Sequence, residues 1–298
     1  MLKKLTRVLR NRKSILENYK TAKTVNEWKR NGLVPIPINY PVKPNPRYGY
    51  GNPPHKGLYD ILNTNRKRYI EFLQKFKLFQ HELSEIRIEQ AGNTEEPYWK
   101  NQYIEGLDAV ALYSFHCLNN PKTCIEIGSG NSTKFIRRAI KDHGLQTQII
   151  SIDPHPRAEI DNICDRSIRT PLEDTDLNIF NKLVAGDILV FDGSHRCFTN
   201  SDVTVFFLEI LPNLKSGVYV YIDDIYLPLD YPPLWSNRYY SEQYLLAVLL
   251  LAGNNRYEPI LPSVFIENDP DLKKLSDAMW VGFEEAHGSG NGFWMLIR

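Results

Sequence analysis

The stretch that decides the fold runs from Cys124 to Ile140, CIEIGSGNSTKFIRRAI. It opens with a short, mostly apolar run to Ile127, turns through Gly128-Ser129-Gly130, and continues as a helix entered at Asn131 and Ser132. A strand that ends in glycines and leads straight into a helix brings bare backbone and a positive helix N-terminus to one point. The next strand-like run, Gln148 to Asp153, ends on an acidic residue 25 positions after Gly128. At that distance a carboxylate can accept both hydroxyls of a ribose. A lone Gly-x-Gly reads as a tight turn; with Asp153 it reads as a nucleoside site.

Outward from this unit, the chain after Tyr98 alternates strand-like and helix-like segments, the pattern of a mostly parallel sheet with helices on both faces. Strands are predicted at Thr123–Ile127, Gln148–Asp153, Ser167–Arg169, Asp187–Asp192, Val218–Ile222, Tyr257–Leu261 and Phe293–Ile297. The clearest helices are Ser132–His143, Thr204–Leu211 and Ser241–Leu251. The expected architecture is therefore α/β: a seven-stranded, mostly parallel sheet flanked by helices, its last strand pair antiparallel. In such sheets ligands sit beyond the carboxyl ends of the strands.

Composition allows one large core, with 298 residues, 42% hydrophobic and 24% charged. The four cysteines are widely spaced and form no CxxC pair, which suits a reducing, cytoplasmic setting. No apolar run approaches the roughly 18 residues of a membrane span, and the N-terminus lacks a secretory pattern. Residues 1 to 30 carry ten Lys or Arg against Glu17 and Glu27, leaving 26 basic and 33 acidic residues afterwards, a net of −7. Leu2, Leu5, Leu9, Leu16 and Tyr19 recur there at near-helical spacing. Such a helix can meet an anionic membrane or an acidic partner, or pack on its own domain or a sister subunit of a homo-oligomer. Val34 to Pro54 is too proline-rich for helix or central strand and reads as an extended strap leading to a helical region, Lys56 to about Ile86. Residues 1–100 thus form an N-terminal helical extension, and 101–298 the ligand-binding domain. The net acidity of the latter argues against a nucleic-acid partner.

Two nucleoside classes compete. A dinucleotide fingerprint wants glycine where Thr133 stands, and Glu126 is an awkward neighbour for a pyrophosphate, so a cationic ligand suits the turn better. Glu126-Ile127-Gly128-Ser129-Gly130 resembles the first motif of the class I S-adenosylmethionine-dependent methyltransferases, with a Rossmann-like sheet, over roughly Asp108 to Arg298. The resemblance implies that Glu126, Gly128, Ser129 and Gly130 form the S-adenosyl-L-methionine loop, with Ser132 where the family often has a third glycine, and that Asp153 binds the ribose. Asn52-Pro53-Pro54 is similar to the signature of amino-group methyltransferases, but His55 follows instead of an aromatic residue and no apolar strand precedes it.

The fourth strand ends in Asp192-Gly193-Ser194-His195 and the fifth in Asp223-Asp224. Clustered carboxylates repel unless compensated; a hard cation such as Mg²⁺ compensates them and can hold acceptor oxygens. The pattern resembles divalent-metal O-methyltransferases of the macrocin and aminocoumarin tailoring type, by which Asp192, Asp223 and Asp224 match metal ligands. Ser194 replaces that family's candidate base, and His195 is the nearest substitute, since an imidazole titrates near neutrality. The wider phrase from Asp192 to Leu246 also resembles bacterial methyltransferases of undefined substrate in which Asp223 is often His. Against these stand plainer readings: Asp192 binding the cofactor's amino group or capping a helix, Asp224 in a turn, His195 structural. Between strand five and the next helix, Tyr231, Trp235, Arg238 and Tyr239 are candidates to stack on and pair with a small-molecule acceptor.

Three function classes follow. The first is methyl transfer to oxygen of a small hydroxylated molecule such as a sugar, glycan or natural product. The second is a nicotinamide-dependent oxidoreductase, and the third a non-catalytic binding or scaffold protein on the same fold.

Overall fold

The computed structural model describes residues 22–30, 36, 43–92, 94–156, 158–253 and 255–298. The chain divides into two compact units, Met1–Pro44 and Asn45–Arg298. In the first, residues 22–30 are helical; the basic amphipathic pattern from Leu2 to Tyr19 and residues 34, 35 and 37–42 of the proline-rich strap lie outside the described residues. In the second, helices α1 (Lys56–Thr64), α2 (Arg66–Phe76) and α3 (Gln80–Ser84) precede α4 (Gly106–Asn119), β1 (Thr123–Ile127), α5 (Asn131–His143), β2 (Gln148–Ile152), β3 (Arg166–Ile168) and β4 (Ile188–Phe191). Then come α6 (Asp202–Val205), prolonged by a π turn over Phe206–Ile210, β5 (Tyr219–Ile222), α7 (Glu242–Leu251), β6 (Tyr257–Pro262), α8 (Ser263–Asn268), α9 (Pro270–Asp277) and β7 (Phe293–Ile297).

The seven strands form one sheet in the order β3-β2-β1-β4-β5-β7-β6. The first five are parallel, while β7 runs antiparallel to both β5 and β6. Strands β1, β4 and β5 are buried over almost their whole length, as near-continuous apolar runs must be when helices cover both faces. Glu126 is the exception, a charged residue 0% exposed inside β1.

Helix α4 went unmarked in the sequence because it has almost no polar face: it is buried from Gly106 through His116, and a helix apolar all round shows no 3.6-residue stripe. It packs against α5, whose Phe135, Ile136, Ala139 and Ile140 face inward and whose end is closed by Gly144 at φ 59°. The region Lys56–Ser84 breaks into short helices that pack in the same unit as the sheet; α2 lies on β6 and α9, with Arg66 donating to Asp269 at 2.7 Å. Among the described residues no helix is long and apolar enough to cross a membrane.

Candidate active site

Strand order reverses between β1 and β4, and there a cleft of about 550 Å³ opens. Its walls come from Ile127–Ser129, Ile152–His155, Pro171–Glu173, Asp192–Ser194 and Thr199–Asp202. The volume falls in the range of about 300–1,000 Å³ usual for small-ligand sites. Gly128 makes the closure possible: at φ 76° a Cβ there would lie 1.7 Å from the Asp192 carbonyl oxygen, so only glycine lets the β1 turn meet the end of β4. Asp153 is held facing this turn by two backbone donors, Ser129 N–H at 2.9 Å and His155 N–H at 2.8 Å. Each carboxylate oxygen keeps a lone pair for a further donor. Beside it, Ser129 Oγ is buried without a hydrogen-bond partner.

Glu126 lies beneath the turn and does not line the cleft. Its carboxylate accepts the hydroxyls of Ser132 and Thr133, and Thr133 Oγ1 in turn accepts Gly130 N–H at 3.1 Å. Ser132 and Thr133, which break the glycine-rich fingerprint, are thus the donors that a buried carboxylate in β1 requires. Burial, opposed by those two hydroxyls, raises the Glu126 pKa to about 7. Gly128, Ser129, Asp153 and Asp192 line the cleft; Glu126 and Ser132 brace the turn from below.

At the ends of β4 and β5 the imidazole of His195 sits among carboxylates. Its Nδ1 bonds to Glu242 Oε1, while Nε2 lies 3.3 Å from Asp192 Oδ1 and 3.4 Å from Asp224 Oδ2. Burial alone would lower its pKa, but Glu242 and Asp192 raise it well above the ordinary value. A ring with both nitrogens facing carboxylate oxygens is doubly protonated, so His195 enters the site as a cation, where the sequence suggests a proton acceptor. Its backbone, at φ 61°, and that of Asp224, at φ 54°, are left-handed without glycine, a conformation that clusters at functional sites. Asp223 points elsewhere: it accepts Tyr221 O–H at 2.6 Å, and burial with the charges of Asp192 and Asp224 pushes its pKa well up.

This donor set does not fit a metal ion. The His195 ring stands between Asp192 and Asp224, Asp223 is engaged by Tyr221, and among the described residues no three His, Cys, Asp or Glu are arranged to hold one.

Of the expected acceptor residues, Tyr231, Trp235 and Arg238 join an aromatic cluster in the segment between β5 and α7. Tyr231 is buried at 7% exposure, so it packs the loop. Arg238 stacks on Trp235 at 3.8 Å, Trp235 meets Tyr240 at 5.8 Å, and Tyr240 lies over the His195 ring at 4.5 Å. Tyr239 is exposed at φ 54°. None of the four lines the cleft, and Tyr240, absent from the expected set, is the ring that reaches His195.

Three other residues escaped the motif reading. Glu242, 0% exposed at the first position of α7, reads in sequence as an ordinary helix-start acid. Asn291 donates to Asp224 Oδ1 at 2.8 Å from the HGSGNG loop, His287–Gly292. Asp108, buried in α4, holds that loop through Asn291 N–H at 2.6 Å and Gly292 N–H at 2.9 Å, and its burial raises its pKa to about 6. The one available signal was an acid, Asp108, inside an otherwise apolar helix.

Residues 125–225 match the family described as "Methyltransferase domain". No curated protein matches the chain in sequence. Among solved structures, the S-adenosylhomocysteine-bound Podospora anserina methyltransferase PaMTH1 is 13% identical over 66% of this chain and 88% of its own, with a TM-score of 0.38. An O-methyltransferase from Bacillus cereus, also in complex with SAH, is 12% identical over 76% and 91%, with a TM-score of 0.39. The plantazolicin methyltransferase BpumL is 14% identical over 78% and 99%, at 0.41. These are distant likenesses, and no function is transferred from them.

Proposed function

We propose that this protein is an S-adenosylmethionine-dependent methyltransferase acting on an oxygen of a small hydroxylated acceptor such as a sugar, glycan or natural product, in the cytoplasm. The observation that carries the reading is the cleft at the switch point, where the Asp153 carboxylate faces the Gly128-Ser129-Gly130 turn and accepts its Ser129 N–H, within the methyltransferase-matching segment. Those groups fit a ribose and its substituents, and the apolar wall of Ile152, Pro171 and Leu172 fits a purine.

Bound there, S-adenosylmethionine supplies an electrophilic methyl group on a positively charged sulfur. The protein has to place an acceptor oxygen in line, about 3 Å from that carbon, and take its proton as the C–O bond forms and the C–S bond breaks. Asp192 is placed for the proton: it lines the cleft and its carboxylate faces His195. His195, a cation anchored by Glu242, compensates Asp192 and Asp224 and holds them in place. No step passes through a metal.

Calorimetry with S-adenosylhomocysteine and with NAD tests this directly. Binding of the first and not of the second is the expected result; absence of S-adenosylhomocysteine binding would sink the methyltransferase reading. With a hydroxylated acceptor from a screen, turnover is expected to be indifferent to EDTA. Loss on chelation, restored by Mg²⁺, would mean that the carboxylates leave His195 and Tyr221 for a cation.

A further inference from the structure

The loop between β5 and α7, Asp223 to Ser241, has Asp224 at its start and leads into Glu242, two of the carboxylates around His195. Its ends are therefore fixed by the site itself. Its middle is fixed by something else, the proline-rich segment that no part of the chemistry so far employs. Asp230 Oδ2 accepts the backbone N–H groups of Arg47 at 2.6 Å and Tyr48 at 3.0 Å. Asp230 N–H donates back to the Tyr48 carbonyl at 3.1 Å, and Tyr50 O–H donates to the Asp230 carbonyl at 3.1 Å. On its other side, Asp230 Oδ1 accepts Tyr244 O–H from α7 at 3.1 Å. Two further contacts flank the node. His55 N–H donates to the Pro228 carbonyl at 2.9 Å, and Gly49, at φ 78°, leaves room for Leu229, whose side chain a Cβ there would crowd at 3.1 Å.

We propose that Asp230 is the positioning residue of the acceptor side: it joins the Arg47–His55 segment, the β5–α7 loop and α7 in one node and so sets where the aromatic cluster meets His195. The path from node to site is short. Tyr226 meets Trp235 at 5.3 Å, Trp235 meets Tyr240 at 5.8 Å, and Tyr240 covers the His195 ring at 4.5 Å. A carboxylate receiving two backbone N–H groups and a phenol makes charge-assisted bonds, each stronger than a neutral one, and this one ties residues 183 positions apart. Gln243 Oε1 also accepts Tyr226 N–H at 2.9 Å and Arg196 Nε donates to the Arg238 carbonyl at 3.0 Å; the Asp230 node adds to these ties the fixing of the loop's centre against the Arg47–His55 segment, and each added tie cuts the positions the cluster can sample. The word acceptor rests on the methyltransferase reading, whereas the pin does not.

The test is hydrogen exchange on the full chain, read by mass spectrometry with and without S-adenosylhomocysteine, for the wild type, Asp230→Ala, Asp230→Asn and Tyr244→Phe. Asp230→Ala is expected to speed exchange at least tenfold in peptides covering 226–240 and 45–55 together, to leave the β1 and β2 peptides unchanged, and to keep S-adenosylhomocysteine affinity within twofold. Asp230→Asn keeps a carbonyl for the two N–H groups and is expected to restore most of the protection. Tyr244→Phe, which removes one bond of the node, is expected to raise exchange in 226–240 severalfold and serves if the alanine variant does not fold. The ring-current-shifted His195 resonance, assigned by its loss in His195→Gln, is expected to move in Asp230→Ala and return in Asp230→Asn. Unchanged protection of 226–240, an unmoved His195 resonance, or exchange rising across the whole sheet would each overturn the proposal. If the wild type fails to bind S-adenosylhomocysteine, the methyltransferase reading falls while exchange still judges the pin.

Discussion

The two sides of the sheet's carboxyl edge handle polar groups in opposite ways. On the β1–β2 side, Asp153 lines the cleft and is held by only two backbone N–H groups of neighbouring turns, so its oxygens keep lone pairs for a ligand. On the β4–β5 side, Asp223 and Asp224 are buried and the carboxylates are compensated by His195 and Tyr221 from the same strand ends and by Asn291 from 67 positions away. One side is built to receive, the other to hold charge in place. Binding and chemistry should therefore come apart under mutation.

The largest expected effect lies on the charged side. His195→Ala removes the cation between Asp192 and Asp224 and is expected to cut methyl transfer by ~10²-fold or more, with S-adenosylhomocysteine binding within a few-fold in calorimetry. Equal losses in turnover and binding would erase the distinction between the two sides. Next in size is Asp153→Ala, expected to weaken S-adenosylhomocysteine binding by about 1.5–3 kcal/mol, the value of hydrogen bonds to a charged group. An undiminished affinity would remove Asp153 from the site.

A smaller effect concerns the floor beneath the turn. Glu126 has its pKa raised to about 7 in the fold, above the ordinary carboxyl value of about 4.3 in an unfolded chain, so the folded state holds its proton more tightly than the unfolded one. Its contribution favours the fold in acid and is lost as pH rises from about 4.5 through about 7, after which it levels off. Glu126→Gln lacks this titration. Urea unfolding is expected to show the variant gaining on the wild type across that window, on the order of 3 kcal/mol in all, and a constant difference from pH 4.5 to 8 would place the carboxylate in a less buried setting.

How legible each side was follows from the same contrast. Strands β1 and β7 were read to the residue and the others to within one or two, because glycine turns, acidic strand ends and apolar runs are local signals. The turn and Asp153 sit where a strand, a turn and a fixed spacing put them. Glu242, Asn291 and Asp108 carry no such mark, since what makes them part of the site is a partner 47 to 183 positions away. A histidine after a strand reads as a base when its partner Glu242, at the first position of α7, carries no mark in the sequence. Helix α6 was foreseen as one element, and its π turn, where Phe206 stacks on Phe191 at 4.0 Å, has no sequence cue. The helices of Lys56–Ser84 carry no sequence signal that α2 docks on β6.

The place of β7 in the sheet sets the order in which the molecule can be assembled. It lies between β5 and β6 although it is made after both, and at roughly 5–20 residues per second a ribosome delivers it about 4–14 s after β5. Until then β6 has no partner in the sheet, and one edge of β5 stays open to pairing with other chains. The residues lining the cleft, Ile127 to Asp202, are all made before β5, whereas the Asn291 link to Asp224 arrives with the final strand. Every wall of the cleft is thus synthesised before the edge of β5 is covered, and a ligand that binds the cleft during synthesis would stabilise by mass action whatever part of the chain has folded around it.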